Sequence, residues 1–302
     1  MRKYSLVYVF RLLFYSLYDF SRHRNREPEG CVILRSLLSA GSSGLGFDFS
    51  RTTLRCNTKQ FRLLNVLGRG SFATVFEATD VSTAQLVAIK RPSKTYSIAK
   101  IEPTREKLAQ FQLECAIMRS FSNSNCLNLP RLVISTWSCD MESLFIPFLP
   151  IGQPLAWLAS TTTKPDRKKL ATRLRDDLSE GLREAHKRGY CHCDIRPANI
   201  IYDPSHACFV IIDWGLGRAP NSFMHPHTGG IAFFADELIE AEIRGCLDKT
   251  DYLTKYDYAS ANFIPCAFIL GNPYLAVPWA NFALENIVTH RNACMLQSAN
   301  AS

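Results

Sequence analysis

Asp194 and Asn199 stand five residues apart in a proline-containing loop, His192-Cys193-Asp194-Ile195-Arg196-Pro197-Ala198-Asn199. A second aspartate, Asp213, follows 14 residues after the asparagine, between an apolar run and the pair Trp214-Gly215. Two short runs, Ile200-Ile201-Tyr202 and residues 209–212, read as strands flanking a turn. Either loop by itself contains only ordinary turn residues. Together they carry the groups that phosphoryl transfer requires. One carboxylate orients and deprotonates an attacking hydroxyl, while an amide and a second carboxylate hold magnesium against phosphates.

The same chemistry needs a cation and a phosphate-binding loop, and both occur upstream in the right order. Gly68-Arg69-Gly70-Ser71-Phe72-Ala73-Thr74-Val75 lies between two expected strands. Closely spaced glycines permit a tight turn whose N–H groups approach phosphate oxygens, although a plain hairpin turn looks similar. A strand follows this loop, which excludes the strand-to-helix setting of a dinucleotide fingerprint. Val87-Ala88-Ile89-Lys90 then ends in a lysine. Such a lysine normally snorkels to solvent, but on a strand after a glycine loop its ammonium reaches bound phosphates. Glu114, on the next helical segment, is the natural anion to orient it.

Periodicity places these groups. Residues 61–67, 74–78 and 86–90 alternate as strands, and residues 132–134 and 143–149 are apolar strand candidates. Residues 104–121 form a helix candidate with Leu108, Phe111, Cys115 and Met118 on one face. Residues 166–188 form a second, with Leu170, Leu174, Leu178, Leu182 and Ala185, stopped by Gly189. A strand-rich part of about 90 residues therefore precedes a helix-rich part, without internal repeats.

Composition bounds the rest. The chain has 302 residues, 47% hydrophobic and 21% charged, which excludes a disordered or fibrous protein. Its net charge of +8 is concentrated at the start, where residues 1–60 hold ten Lys/Arg and four Asp/Glu. With the tract Ser39-Ala40-Gly41-Ser42-Ser43-Gly44-Leu45-Gly46, this stretch reads as a basic leader and flexible linker over residues 1–58. Eleven scattered cysteines fit reduced thiols better than a disulfide framework, and Cys191-His192-Cys193 has no second pair at zinc spacing. Arg11 splits the apolar N-terminus, which leaves a signal-like segment or a membrane contact through residues 1–20 as weakly supported alternatives. The uncharged residues 258–284 contain Pro265, Pro273 and Pro278 and read as buried core. Nothing points to a specific nucleic acid.

Residues 61–274 resemble a eukaryotic-type protein kinase domain. The closest stretch is residues 182–199, LREAHKRGYCHCDIRPAN. Residues 229–237, GGIAFFADE, resemble the end of the activation segment, with Glu237 as its terminal glutamate. Tyr256-Asp257-Tyr258-Ala259-Ser260 resembles the start of the central buried helix, with Asp257 as the anchor of the catalytic loop, and Gly271-Asn272-Pro273-Tyr274 the turn that ends it.

The resemblance implies an α+β, two-lobed fold, with a small β-rich N-lobe over residues 59–149 and a larger helical C-lobe over residues 150–302. It implies an intracellular, cytoplasmic or nuclear Ser/Thr protein kinase using ATP and magnesium on a protein substrate. In that reading Asp194 is the catalytic base and Arg196 stands where a lysine neutralises the transferred group. Lys90, paired with Glu114, binds phosphates, and Asn199 and Asp213 bind magnesium. Gly68, Arg69, Gly70, Ser71, Phe72, Ala73, Val75, Ala88, Ile146 as gatekeeper and Leu149 surround the nucleotide, with the Pro147 carbonyl and the Leu149 N–H facing adenine.

Four departures stand out: Ala73 for the third loop glycine, Trp214 for phenylalanine, Cys193 for the arginine before the catalytic aspartate, and only 45 residues after Asp257. Cys193 cannot pair with an activation-segment phosphate, so activity is expected without phosphorylation of Ser222 or Thr228. The alternatives are a pseudokinase-type binding module and a small-molecule kinase. Arg196-Pro197 and the glutamate-terminated segment speak against the latter.

Overall fold

The computed structural model describes residues 53–56, 59–69, 73–92, 105–133, 146–223, 231–271 and 284–300. A six-stranded antiparallel sheet forms the N-terminal lobe, in the order β1-β2-β3-β4-β6-β5. Its strands are β1 (Thr53–Cys56), β2 (Lys59–Arg69), β3 (Ala73–Asp80), β4 (Leu86–Pro92), β5 (Arg131–Leu132) and β6 (Ile146–Leu149). The sheet starts earlier than the boundary read from sequence at residue 59. Thr53 to Cys56 pair with Lys59 to Arg62, and Leu54 is buried beside Phe61 and Leu63. The rest of the expected leader, residues 1–52 and 57–58, lies outside the described residues.

Helix α1 (Arg105–Phe121) crosses the back of this sheet. Phe111, Cys115 and Met118, three and four residues apart, meet Ala88, Ile146 and Phe148, as helical periodicity requires. The β3–β4 turn is held by Asp80, which accepts from the Ser82 N–H at 2.9 Å, the Ser82 hydroxyl at 2.6 Å and Lys59 Nζ at 2.9 Å.

The second lobe is mainly helical. It contains β7 (Gln153–Pro154), α2 (Leu155–Thr161), α3 (Lys164–Lys187), β8 (Ile200–Asp203), β9 (Cys208–Ile211), β10 (Ser222–Phe223), α4 (Asp236–Ile243), β11 (Asp251–Tyr252), α5 (Thr254–Leu270) and α6 (Leu284–Asn300). Helix α3 starts on Thr163, whose hydroxyl accepts from the Asp166 N–H, and Pro165 occupies its first turn. Ala171, Leu174, Leu178, Leu182 and Ala185 bury one face. Gly181 lets α3 approach β9, because a Cβ there would lie 3.1 Å from the Asn128 carbonyl oxygen and 3.2 Å from Ile211 Cδ1.

Helix α5 is the hub of this lobe and packs against both α3 and α6. Phe263, Ile264, Ala267 and Phe268 are buried, which explains the uncharged run as far as Leu270. No helix among the described residues is long and apolar enough to cross a membrane.

Candidate active site

Lys90 leaves the end of β4 beneath the sheet, opposite Ile146 of β6 and Val75 of β3. Its ammonium lies 2.7 Å from Glu114 Oε2 and 2.6 Å from Asp213 Oδ1. The three residues come from β4, α1 and the turn after β9, so this cluster ties the two lobes together. Burial disfavours the Lys90 ammonium, but the Asp213 and Glu114 carboxylates outweigh it and raise the pKa above the usual lysine range. Partial desolvation opposes ionisation of the half-exposed Asp213 side chain, yet Lys90, aided by Arg196 and His192, holds it below the usual range. At neutral pH the site therefore contains a fixed ammonium and a carboxylate.

The loop after α3 supplies the second group. Asn199 donates its amide hydrogens to the backbone carbonyl and to Oδ2 of Asp194, both at 2.8 Å. The side-chain oxygen of Asn199 is then the atom left to serve as a ligand. Arg196 Nε lies 3.2 Å from Asp194 Oδ2. The Ile212 N–H donates to the Asn199 carbonyl at 2.9 Å, which fixes the loop against the strand that leads to Asp213. An amide oxygen and a carboxylate form a hard oxygen donor set, suited to magnesium and poorly suited to a soft metal.

Asp257, at the start of α5, holds this loop from below. It is fully buried and accepts four hydrogen bonds, from the His192 N–H at 2.8 Å, the Cys193 N–H at 3.0 Å, the Tyr252 hydroxyl at 2.8 Å and His186 Nε2 at 2.8 Å. Burial opposes its charge, but these donors and the adjacent histidines keep its pKa below the usual value. Four donors fill the four acceptor positions of the carboxylate. The neighbouring His186–Cys191 pair thus has no free carboxylate lone pair with which to complete a metal site.

A family model for the protein kinase domain matches residues 61–297. The chain belongs to the protein kinase family. It is similar to a probable serine/threonine-protein kinase of Arabidopsis thaliana, 29% identical over 71% of this chain and 35% of that protein. It is also similar to the cell division control protein 2 homolog 3 of Trypanosoma brucei brucei, 27% identical over 62% of this chain and 53% of the other. The mitogen-activated protein kinase HOG1 of Saccharomyces cerevisiae is 26% identical over 72% of this chain and 45% of its own length. The chain thus spans between about a third and about half the length of these curated relatives.

Against the kinase pattern, the structure brings Lys90, Glu114, Asp194, Arg196, Asn199 and Asp213 into one site. Gly68 and Arg69 pair with Val75 and Thr74 at the end of the β2–β3 ladder, and Ala73 begins β3. Gly70, Ser71 and Phe72, like Thr228, lie outside the described residues. Ala88 pairs with Phe148, and Ile146 is buried against α1. Leu149 ends β6, opposite Arg131. The Pro147 carbonyl accepts the Val133 N–H at 3.0 Å, which uses one of its two lone pairs.

The glutamate expected to close the activation segment lies in the first turn of α4. Glu237 is exposed and pairs with Lys255 at 2.9 Å. Its neighbour Asp236, half-exposed, pairs with the buried Arg291 of α6, which also donates to the Phe234 carbonyl. Arg218, close to Cys193 and bridged through its backbone to Cys191, donates to the carbonyl of Phe223. Sequence reading missed Arg291, Tyr252 and His186, because their partners lie far away along the chain and share no spacing with them.

Proposed function

We propose that this chain is a protein kinase that transfers the γ-phosphate of ATP, with magnesium, to Ser/Thr hydroxyls of a protein substrate. The observation that carries the reading is the buried Lys90 ammonium, held between Glu114 and Asp213 in the site that also contains Asp194, Arg196 and Asn199. A site that had lost turnover would be under no requirement to keep both sets of contacts, Lys90 with Glu114 and Asp213, and Asp194 with Arg196 and Asn199. The similarity to a probable serine/threonine-protein kinase supports Ser/Thr as the acceptor class.

Asn199 and Asp213 would hold magnesium, which neutralises phosphate charge and orients the transferred group when bound. The chain's own residues do the rest. Lys90 presents a fixed positive charge to the phosphates, and Glu114 keeps its side chain extended. Asp194 accepts the proton of the acceptor hydroxyl as the new P–O bond forms and the bond to the ADP oxygen breaks. Arg196 sets a second cation beside Asp194, at the place where negative charge develops. Incubation with magnesium and γ-labelled ATP, with and without peptide pools, tests the reading. Label on Ser/Thr of a peptide supports it, whereas nucleotide binding without transfer supports a pseudokinase and transfer only to small alcohols or amines a small-molecule kinase.

A further inference from the structure

Helix α1 carries Glu114 to Lys90, and its far end is fastened from the other lobe. The last carbonyls of an α-helix find no partner within it. In α1 the Arg119 carbonyl accepts the Ser122 N–H at 3.1 Å and the Phe121 carbonyl the Ser124 N–H at 2.8 Å, both from the turn that follows. The Ser120 carbonyl instead accepts from Nη1 of Arg188, the residue that caps α3.

Arg188 is aimed at this carbonyl by its own helix. Its Nε lies 2.9 Å and its Nη2 2.8 Å from Oε1 of Glu184, one turn earlier. The Ser124 hydroxyl donates to the same oxygen at 3.0 Å and accepts the Cys126 N–H at 3.1 Å. One carboxylate oxygen thus gathers α3 and the segment after α1. Arg188 and then Ser124 keep the Glu184 carboxyl below its usual range. The Arg188 and Glu184 side chains are 25% and 15% exposed, unlike the freely solvated pairs that contribute little. A guanidinium held along one edge presents its remaining nitrogen in a single direction, whereas a lysine ammonium has no such fork.

Position gives the contact its consequence. Ser120 follows Glu114 by six residues, about 9 Å along the helix. A turn of α1 by about 20° about its axis moves a side-chain end about 6 Å from that axis by about 2 Å. Such a shift parts Glu114 from Lys90, which is 2.7 Å away. Arg188 also stands six residues before Asp194, on the run into the catalytic loop. One arginine therefore joins the helix of Glu114 to the segment of Asp194.

We propose that Arg188 is a positioning residue, which through the Ser120 carbonyl fixes the rotation of α1 at which Glu114 meets Lys90. The part that Lys90 plays toward nucleotide rests on the function proposed above; the pinning of α1 does not.

The test compares wild type with Arg188→Gln and Arg188→Lys, each also in a Glu114→Gln background. The lysine protein keeps the charge and the stem should the glutamine protein fold poorly. Two quantities are read: hydrogen exchange of residues 109–121 without ligand, and affinity for magnesium–nucleotide by calorimetry. Arg188→Gln should speed exchange in α1 by about tenfold or more with α5 unchanged, and Arg188→Lys should do so to a smaller extent. Nucleotide affinity should fall about three- to tenfold in the glutamine protein. In the Glu114→Gln background the same replacement should weaken affinity no further, because effects that pass through one contact do not add. Equal losses in both backgrounds, or exchange in α1 unchanged by both replacements, would overturn the proposal. Arg183→Gln removes only the exposed pair with Glu180 and should match wild type; an equal effect there would overturn it as well. Faster exchange in a protein whose wild type binds no magnesium–nucleotide would uphold the pin and sink the proposed function.

Discussion

Lys90 is paired twice within 2.7 Å, so its removal acts on charge more than on packing. Lys90→Met is expected to abolish phosphoryl transfer while the protein stays folded, as followed by circular dichroism and γ-labelled ATP. Asp213→Asn should instead weaken magnesium-dependent nucleotide binding itself, measured by calorimetry. Cys193 shows a different residue-scale effect. Burial and Asp257 push its thiol well above the usual range, so it is neither a cation nor a reactive thiolate. Arg218 already ties the start of the activation segment to the carbonyl of Phe223, and the Ser222 hydroxyl donates to the Ala219 carbonyl at 2.6 Å. Phosphatase-treated protein and a Ser222→Ala, Thr228→Ala protein should therefore keep initial rates within tenfold of untreated protein, about 1.4 kcal/mol in barrier. A larger drop in both would show that phosphate ordering is required.

At the scale of elements, α6 does more than fill space. Arg291 ties it to Asp236 and to the Phe234 carbonyl, and lies over the Phe263 ring of α5. Burial lowers the Arg291 pKa to about 10, so the guanidinium remains charged at neutral pH. Arg291→Met should destabilise the fold by about 2–3 kcal/mol, the range for charged hydrogen bonds left unmade. Glu237→Gln should cost less than about 1 kcal/mol, because it removes only an exposed pair; urea unfolding of both variants checks the contrast. In the N-terminal sheet, the hydrogen bond from Ser82 holds the pKa of Asp80 at about 2 against 3.8 for a free side chain, with burial opposing and Lys59 assisting. The folded state binds this proton more weakly than the unfolded chain. Its contribution is thus complete above about pH 4 and lost as pH falls through about 2. Asp80→Asn should lower stability at pH 7 and flatten its decline between pH 4 and 2, measured by thermal unfolding across that window.

For the molecule as a whole, what could be read from sequence was local. The apolar face of α3, the loop from His192 to Asn199 and the order of Lys90, Glu114 and Asp213 follow from spacing within short windows, and they define both the fold and the site. Contacts between distant segments were not legible. Asp236 meets Arg291, and Asp257 gathers Tyr252, His186 and the backbone of His192 and Cys193. The edge strand β1 escaped because four residues of mixed polarity carry too little pattern to separate them from a linker. These contacts serve one proposed reaction, direct phosphoryl transfer to a hydroxyl with Asp194 as the base. The most direct measurement is single-turnover transfer of γ-labelled phosphate to peptide by wild type and Asp194→Asn, with nucleotide binding measured in parallel. Equal binding with a loss of about a hundredfold or more in transfer rate is the predicted result, given the usual contribution of such a group. An Asp194→Asn protein that keeps more than about a tenth of the wild-type rate would contradict it.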